Sequence, residues 1–191
     1  AAHALPWIRD NKDKKLFVFL HGYDDHGQFD VPENYAGRFM PKEYTGSYTG
    51  TKKEQRDLRE EGLENGSVSL TPADVSFWRG WYDSKIRDAD DRLAQFLEAY
   101  ESLGVKNKTV FVVVSDHGTE FYEHKRFDHG FSLYDELVRV PLVFVIPDLA
   151  GKGIISDQVT TLDVAPTLID ITGIDPGETY RSQLRGTSLV S

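Results

Sequence analysis

The segment VVVSDHGTEFYEHKRFDHGF, residues 112–131, gathers the residue types that perform acid–base and metal chemistry. His117, His124 and His129, three of the chain's six histidines, lie among Asp116, Glu120, Glu123 and Asp128. A carboxylate beside an imidazole, as at Asp116 and His117, is a mixed ligand pair for a divalent cation. Gly118, directly after it, reads as free to adopt the backbone angles of a tight turn. His129 offers general acid–base chemistry, or a cationic hold on an oxyanion. His124, between Glu123 and Lys125, fits a residue that orients the loop. A plainer arrangement also fits: a strand-ending Asp that caps the next turn, with solvated histidines. A second cluster, HGYDDHGQFDVP (21–32), holds His21, Asp24, Asp25 and His26. His26 reads either as a substrate contact or as part of an Asp-rich turn. His21, still within an apolar pattern, reads as a packed, hydrogen-bonded side chain.

The elements that must position these groups are three apolar runs and one long helix. LFVFLHG (16–22), TVFVVVS (109–115) and PLVFVIP (141–147) are nearly continuous β-branched and aromatic stretches. That pattern predicts strands buried on both faces, as in a parallel sheet covered by helices. Between the first two, Thr71 reads as an N-cap, Pro72 as the first helical residue and Asp74 as the capping-box partner. Apolar residues then recur at Trp78, Tyr82, Ile86, Ala89, Leu93, Leu97 and Tyr100, one face of a 3.6-residue period, with Gly104 at the end. A shorter helix is predicted after Asp163 and closed by Gly173. Strand, helix, strand implies a βαβ crossover and hence an α/β fold with a mostly parallel sheet flanked by helices. Strands 16–22 and 109–115 run directly into the two polar clusters. Parallel strands would bring both clusters to one sheet edge, where open α/β sheets bind ligands. Residues 23–70 read as a long loop whose charge run, TKKEQRDLREEG, is a solvated face.

Composition narrows the function. The length of 191 residues suits one domain. A formal net charge of −9 opposes general nucleic-acid binding, which needs a basic surface. With no cysteine, disulfides, thiolate ligands and a cysteine nucleophile are all excluded within this chain. The opening AAHALPWIRDNKDKK lacks a charged-then-apolar signal layout, and no apolar run approaches the ~18 residues of a membrane span. Neither a nucleophile elbow nor a GxxxxGK[ST] phosphate loop occurs.

From YDSKIRDADDRLAQ through VVVSDHG, YEH, LYDE and RVPLVFVIP, the chain resembles the sulfatase family of the alkaline phosphatase superfamily. VTTLDVAPTLIDITGI (159–174) is similar to that family's Asp-x-x-Pro-Thr-Leu helix, and FVFLHGYDDHGQFDVP to its His-containing strand exit. The resemblance covers roughly residues 5–190. It implies hydrolysis of a sulfuric ester, dependent on a divalent metal, commonly calcium and sometimes manganese or another ion. By position, Asp116 and His117 would be metal ligands. His129 would contact the transferred sulfuryl group and protonate the leaving oxygen. His26 would bind the same group from the other side, with His124 a further substrate-binding position. A sulfate-ester small molecule or sulfated sugar would be the substrate.

The chain also departs from the family pattern. The formylglycine of sulfatases is made from the Cys or Ser of a Cys/Ser-x-Pro-x-Arg motif. No serine here begins one; SLTPAD fails in spacing and lacks the arginine. The family's first strand, with its paired aspartate ligands, has no counterpart. The expectation is therefore a single but partial sulfatase-like domain over 1–191, with the nucleophile and formylglycine upstream. Such a chain would be inactive alone and prone to self-association or to pairing with the missing half. Two further readings stay open: a phosphonate monoester or phosphodiester hydrolase of the same superfamily, and a non-catalytic anion- or partner-binding module.

Overall fold

The computed structural model describes residues 3–23, 26–27, 30–149 and 153–190. The chain divides into two compact units, Ala1–Thr109 with His117–Arg139, and Val110–Asp116 with Val140–Ser191.

The first unit is built on helices. α1 (Ala4–Asn11) buries Ile8. α2 (Lys52–Asn65) starts at Thr51, whose hydroxyl accepts from the Glu54 N–H while the Glu54 carboxylate accepts from the Thr51 N–H. It buries Gln55, Leu58 and Gly62, three and four residues apart, and leaves most of its charges in water. The charge run read as part of a long loop is thus a regular helix with one narrow buried face. α3 (Pro72–Glu101) begins as the sequence predicts, with a Thr71–Asp74 capping box and Pro72 in the first turn.

The predicted apolar face of α3 holds only in part. Trp78 and Tyr100 are buried, but Ile86 is exposed, and the buried positions in mid-helix are Gly80, Ser84, Lys85 and Asp88. The cause is what lies across the helix. A Cβ at Gly80 would stand 2.4 Å from the Phe39 carbonyl oxygen, so a backbone segment crosses there. The buried charges are paired: Lys85 Nζ lies 3.1 Å from Asp88 Oδ2, and Arg92 Nε donates to Asp88 Oδ1 at 2.8 Å. Tyr44 OH donates to Asp74 Oδ1 at 2.5 Å; burial and this bond push the Tyr44 hydroxyl up to about 12.

Leu58, Val68, Leu70, Phe77 and Trp78 form the core with Phe121 and Phe127. The last two belong to β2 (Glu120–Phe121) and β3 (Phe127–Asp128), an antiparallel pair with Phe121 opposite Phe127 and Glu120 opposite Asp128. Such short strands gain little from their own ladder. The aromatic pair holds them, with Phe127 against Trp78 (ring centroids 5.5 Å apart) and Phe121 against Tyr82 (5.2 Å). α4 (Asp135–Val138) closes the unit and buries Leu137.

In the second unit, β1 (Phe111–Val114) pairs with β4 (Leu142–Val145) antiparallel, with Phe111 opposite Val145 and Val114 opposite Leu142. This corrects the parallel sheet predicted from the apolar runs. The Ser115 N–H reaches the Pro141 carbonyl at 3.4 Å, so the pair closes like a hairpin and residues 117–139 are an excursion from its end. An antiparallel pair accepts such an excursion, whereas a parallel pair needs a crossover. The third run, 16–22, forms no strand, and the βαβ unit is absent among the described residues. Phe17 and Phe19 are 79% and 75% exposed. Apolar composition sets strand propensity, but ladder partners must complete it, and none is present among the described residues.

The predicted helix after Asp163 is α5 (Val164–Thr172), capped by Gly173 in the left-handed conformation. A 3-10 turn, Thr161–Asp163, leads into it, and the short α6 (Glu178–Arg181) follows. Asp163 Oδ1 accepts the Thr187 N–H at 2.8 Å and Oδ2 the Thr160 N–H at 2.7 Å, tying the tail to the helix start. These two bonds hold the Asp163 carboxyl below its usual range.

Candidate active site

Three histidines converge in the first unit. The His117 and His129 rings lie 4.1 Å apart by centroid, His26 and His129 5.1 Å, and His26 and His117 6.3 Å. One nitrogen of each lies within 4.8 Å of the others, and all three rings are partly buried. The predicted meeting of the two polar clusters therefore occurs, although the parallel strands invoked to explain it do not form. Packing brings it about instead: Tyr23 stacks on His26 at 4.2 Å, and Gly27 sits against Asp128. Asp24 and Asp25, also singled out in the sequence, lie outside the described residues.

The ring orientations separate the three roles. His26 Nδ1 lies 3.1 Å from the Gly27 carbonyl, and His117 Nδ1 lies 2.8 Å from the Gly118 carbonyl. A carbonyl oxygen can only accept, so Nδ1 carries the proton and Nε2 the lone pair in each neutral ring. That is the form of imidazole that ligates a metal. His129 Nδ1 instead lies 2.5 Å from Asp128 Oδ1, a carboxylate that supplies the counter-charge for an imidazolium. Oδ1 has no hydrogen-bond partner, so the contact is a close approach of ring and carboxylate.

Asp128 is itself constrained. It is 5% exposed, has φ +78°, and lies 3.6 Å from Arg59 Nε through Oδ2. A Cβ on Gly27 would come within 2.7 Å of Oδ2, so a side chain there would crowd the Asp128 carboxylate. Arg59 belongs to the charge run read as solvated, and its part in the site was not visible in the sequence. The adjacent Asp128–His129 pair was the available signal.

Gly118 serves differently from the predicted turn. It is absent from the positive-φ positions; its N–H donates to the Leu137 carbonyl at 2.9 Å, and a Cβ would stand 2.0 Å from the Glu136 carbonyl oxygen. The glycine permits the loop to press onto α4. His124 does not join the three-histidine group. It stacks on Tyr134 at 3.4 Å, donates from Nδ1 to Glu136 Oε1 at 2.6 Å, and falls in a separate group with Glu120 and Glu136. Asp116 follows β1 in the second unit and is exposed.

Three imidazole nitrogens suit a borderline divalent ion such as zinc or copper; calcium takes six to eight oxygens. The histidine group alone does not fit calcium.

The sulfatase profile matches residues 1–174, and the chain belongs to the sulfatase family. It is 28% identical over 150 residues to human arylsulfatase K, covering 78% of this chain and 25% of that protein. The bovine arylsulfatase K is also 28% identical, over 134 residues, 70% of this chain and 22% of that protein. An arylsulfatase of Clostridium perfringens is 27% identical over 174 residues, 87% of this chain and 36% of that protein. The chain thus spans between about a fifth and about a third of the length of these relatives. Among solved structures, a putative sulfatase from Bacteroides thetaiotaomicron superposes with TM-score 0.57 at 18% identity, over 98% of this chain and 38% of that one. A phosphonate monoester hydrolase from Silicibacter pomeroyi gives 0.57 at 20% identity, over 67% and 24%. These likenesses establish a sulfatase-type fold.

Proposed function

We propose that this chain supplies the acid and anion-holding side of a sulfuric ester hydrolase. The observation that carries the reading is the convergence of His26, His117 and His129 within a chain of the sulfatase family. His129, with Asp128 behind its Nδ1, is the ring best placed to carry a proton on Nε2 and pass it to the leaving oxygen. His26 holds the transferred group from the neighbouring side. His117, with its Nδ1 proton on a carbonyl, presents a lone pair suited to a cation, and Asp116 is its partner by the family pattern.

The bound ion would neutralise charge on the transferred group. A calcium ion would require on the order of four oxygens beyond Asp116 and His117. The attacking group is assigned outside these residues, since no cysteine and no Ser-x-Pro-x-Arg motif occurs within them. For the substrate we favour a sulfated sugar or aryl sulfate. The named relatives are arylsulfatases, and a further structural neighbour, TM-score 0.50 at 17% identity over 97% of this chain and 43% of that one, holds D-glucosamine-2-N,6-O-disulfate as its substrate.

A second reading, phosphonate monoester hydrolysis, is favoured by the equal fold likeness to the Silicibacter enzyme. Matched sulfate and phosphonate esters, assayed on the protein that contains this chain, separate the two. The proposal expects faster sulfate cleavage; phosphonate cleavage without sulfate cleavage overturns it.

A further inference from the structure

We propose that Glu120, His124 and Glu136 form a second divalent-cation site, of zinc type, beside the three-histidine group. One ligand atom from each lies within 4.8 Å of the other two. A tetrahedral zinc with bonds of about 2.1 Å needs its ligand atoms about 3.4 Å apart, so the group must adjust by only about an ångström.

The independent observation is Glu120. Its side chain is fully buried, and Oε1 accepts the backbone N–H groups of His124 at 2.8 Å and Arg126 at 3.1 Å. Oε2 is buried with no hydrogen-bond partner. A desolvated carboxylate oxygen left unpaired is costly, and a cation is what offsets that cost. No lysine or arginine is paired with Glu120 among the described residues. The groups clustered with it are the His124 ring and the Glu136 carboxylate, joined by a hydrogen bond of 2.6 Å. A divalent ion would replace the proton of that bond and be balanced by the two carboxylates.

The donors also come from three places the chain must hold together: Glu120 from β2, His124 from the tip between β2 and β3, and Glu136 from α4. Tyr122 and Lys125, within that tip, have φ of +77° and +67°. A cation there would brace a strained turn, and through it the segment that carries His117 and His129. One nitrogen and two carboxylates match zinc by donor type and leave a position for water.

The test is calorimetric titration of the metal-stripped full chain with zinc chloride. The site survives in a H26A/H117A/H129A background, where one equivalent should still bind; adding H124A or E136Q should weaken that binding at least about tenfold. No zinc binding in that background, or binding unchanged by H124A and E136Q, overturns the proposal. Because multiple substitutions can disturb folding, histidine ring resonances of the unsubstituted chain give a second readout. Zinc should shift those of His124; shifts confined to the other rings contradict the site.

Discussion

Asp128 Oδ1 stands 2.5 Å from His129 Nδ1, and the residue that holds it there has φ +78° and almost no exposure. Backbone strain of this kind persists where surrounding contacts enforce it, and here it turns a carboxylate onto the ring assigned as the acid. The substitution D128N keeps the shape and removes the charge. We expect turnover of the containing protein to fall about 10–100-fold with little change in KM, read from steady-state kinetics on a sulfate ester. An unchanged rate would assign Asp128 to the fold alone.

The His26 segment lies close to the Asp128 carboxylate at residue 27, which has no side chain. A methyl group in G27A would press on the Asp128 carboxylate, whose Oδ2 faces Arg59 and whose Oδ1 faces His129. The expected result is loss of contact between the His26 and His129 rings by nuclear Overhauser measurements, with the melting temperature within a few degrees of the parent.

Gly118 should behave differently, because the obstacle is backbone. The Glu136 carbonyl would lie 2.0 Å from an added Cβ. G118A should cost about 1–3 kcal/mol in urea denaturation, as overpacking does.

Acid lability follows from the buried carboxylates of α3. Burial alone would raise Asp74, but hydrogen bonds from Thr71 and Tyr44 outweigh it and lower it below the usual 3.8. Burial likewise opposes the ionised form of Asp88, and Arg92 and Lys85 outweigh it. A carboxyl depressed in the folded state contributes stability that is complete above its unfolded value and lost as pH falls through the folded one. Stability should therefore be level from about pH 6 to pH 4 and drop steeply below. Urea midpoints across that range check this, and D88N should flatten part of the drop.

The chemistry of this chain is more legible in its sequence than the architecture. Asp-His-Gly after an apolar run, His129 twelve residues on and His26 after another run point to one site, and three rings do meet. The sheet direction was not legible, because the same β-branched pattern serves either direction and 16–22 lacks a partner among the described residues. α2 was missed because its buried face carries a single apolar residue, Leu58, between Gln55 and Gly62; its Thr51–Glu54 capping box was the readable signal. Glu120 and Arg59 act through tertiary contacts that no local spacing encodes.

The central claim, that His129 gives its proton to the leaving oxygen, is tested most directly by varying the leaving group. Sulfate esters of alcohols spanning a wide pKa range would be compared in the containing protein and its H129A variant. A missing acid should slow esters of poor leaving groups by about 100-fold or more while leaving nitrophenyl-type esters nearly unaffected. An equal loss across the series, or none, would contradict the assignment.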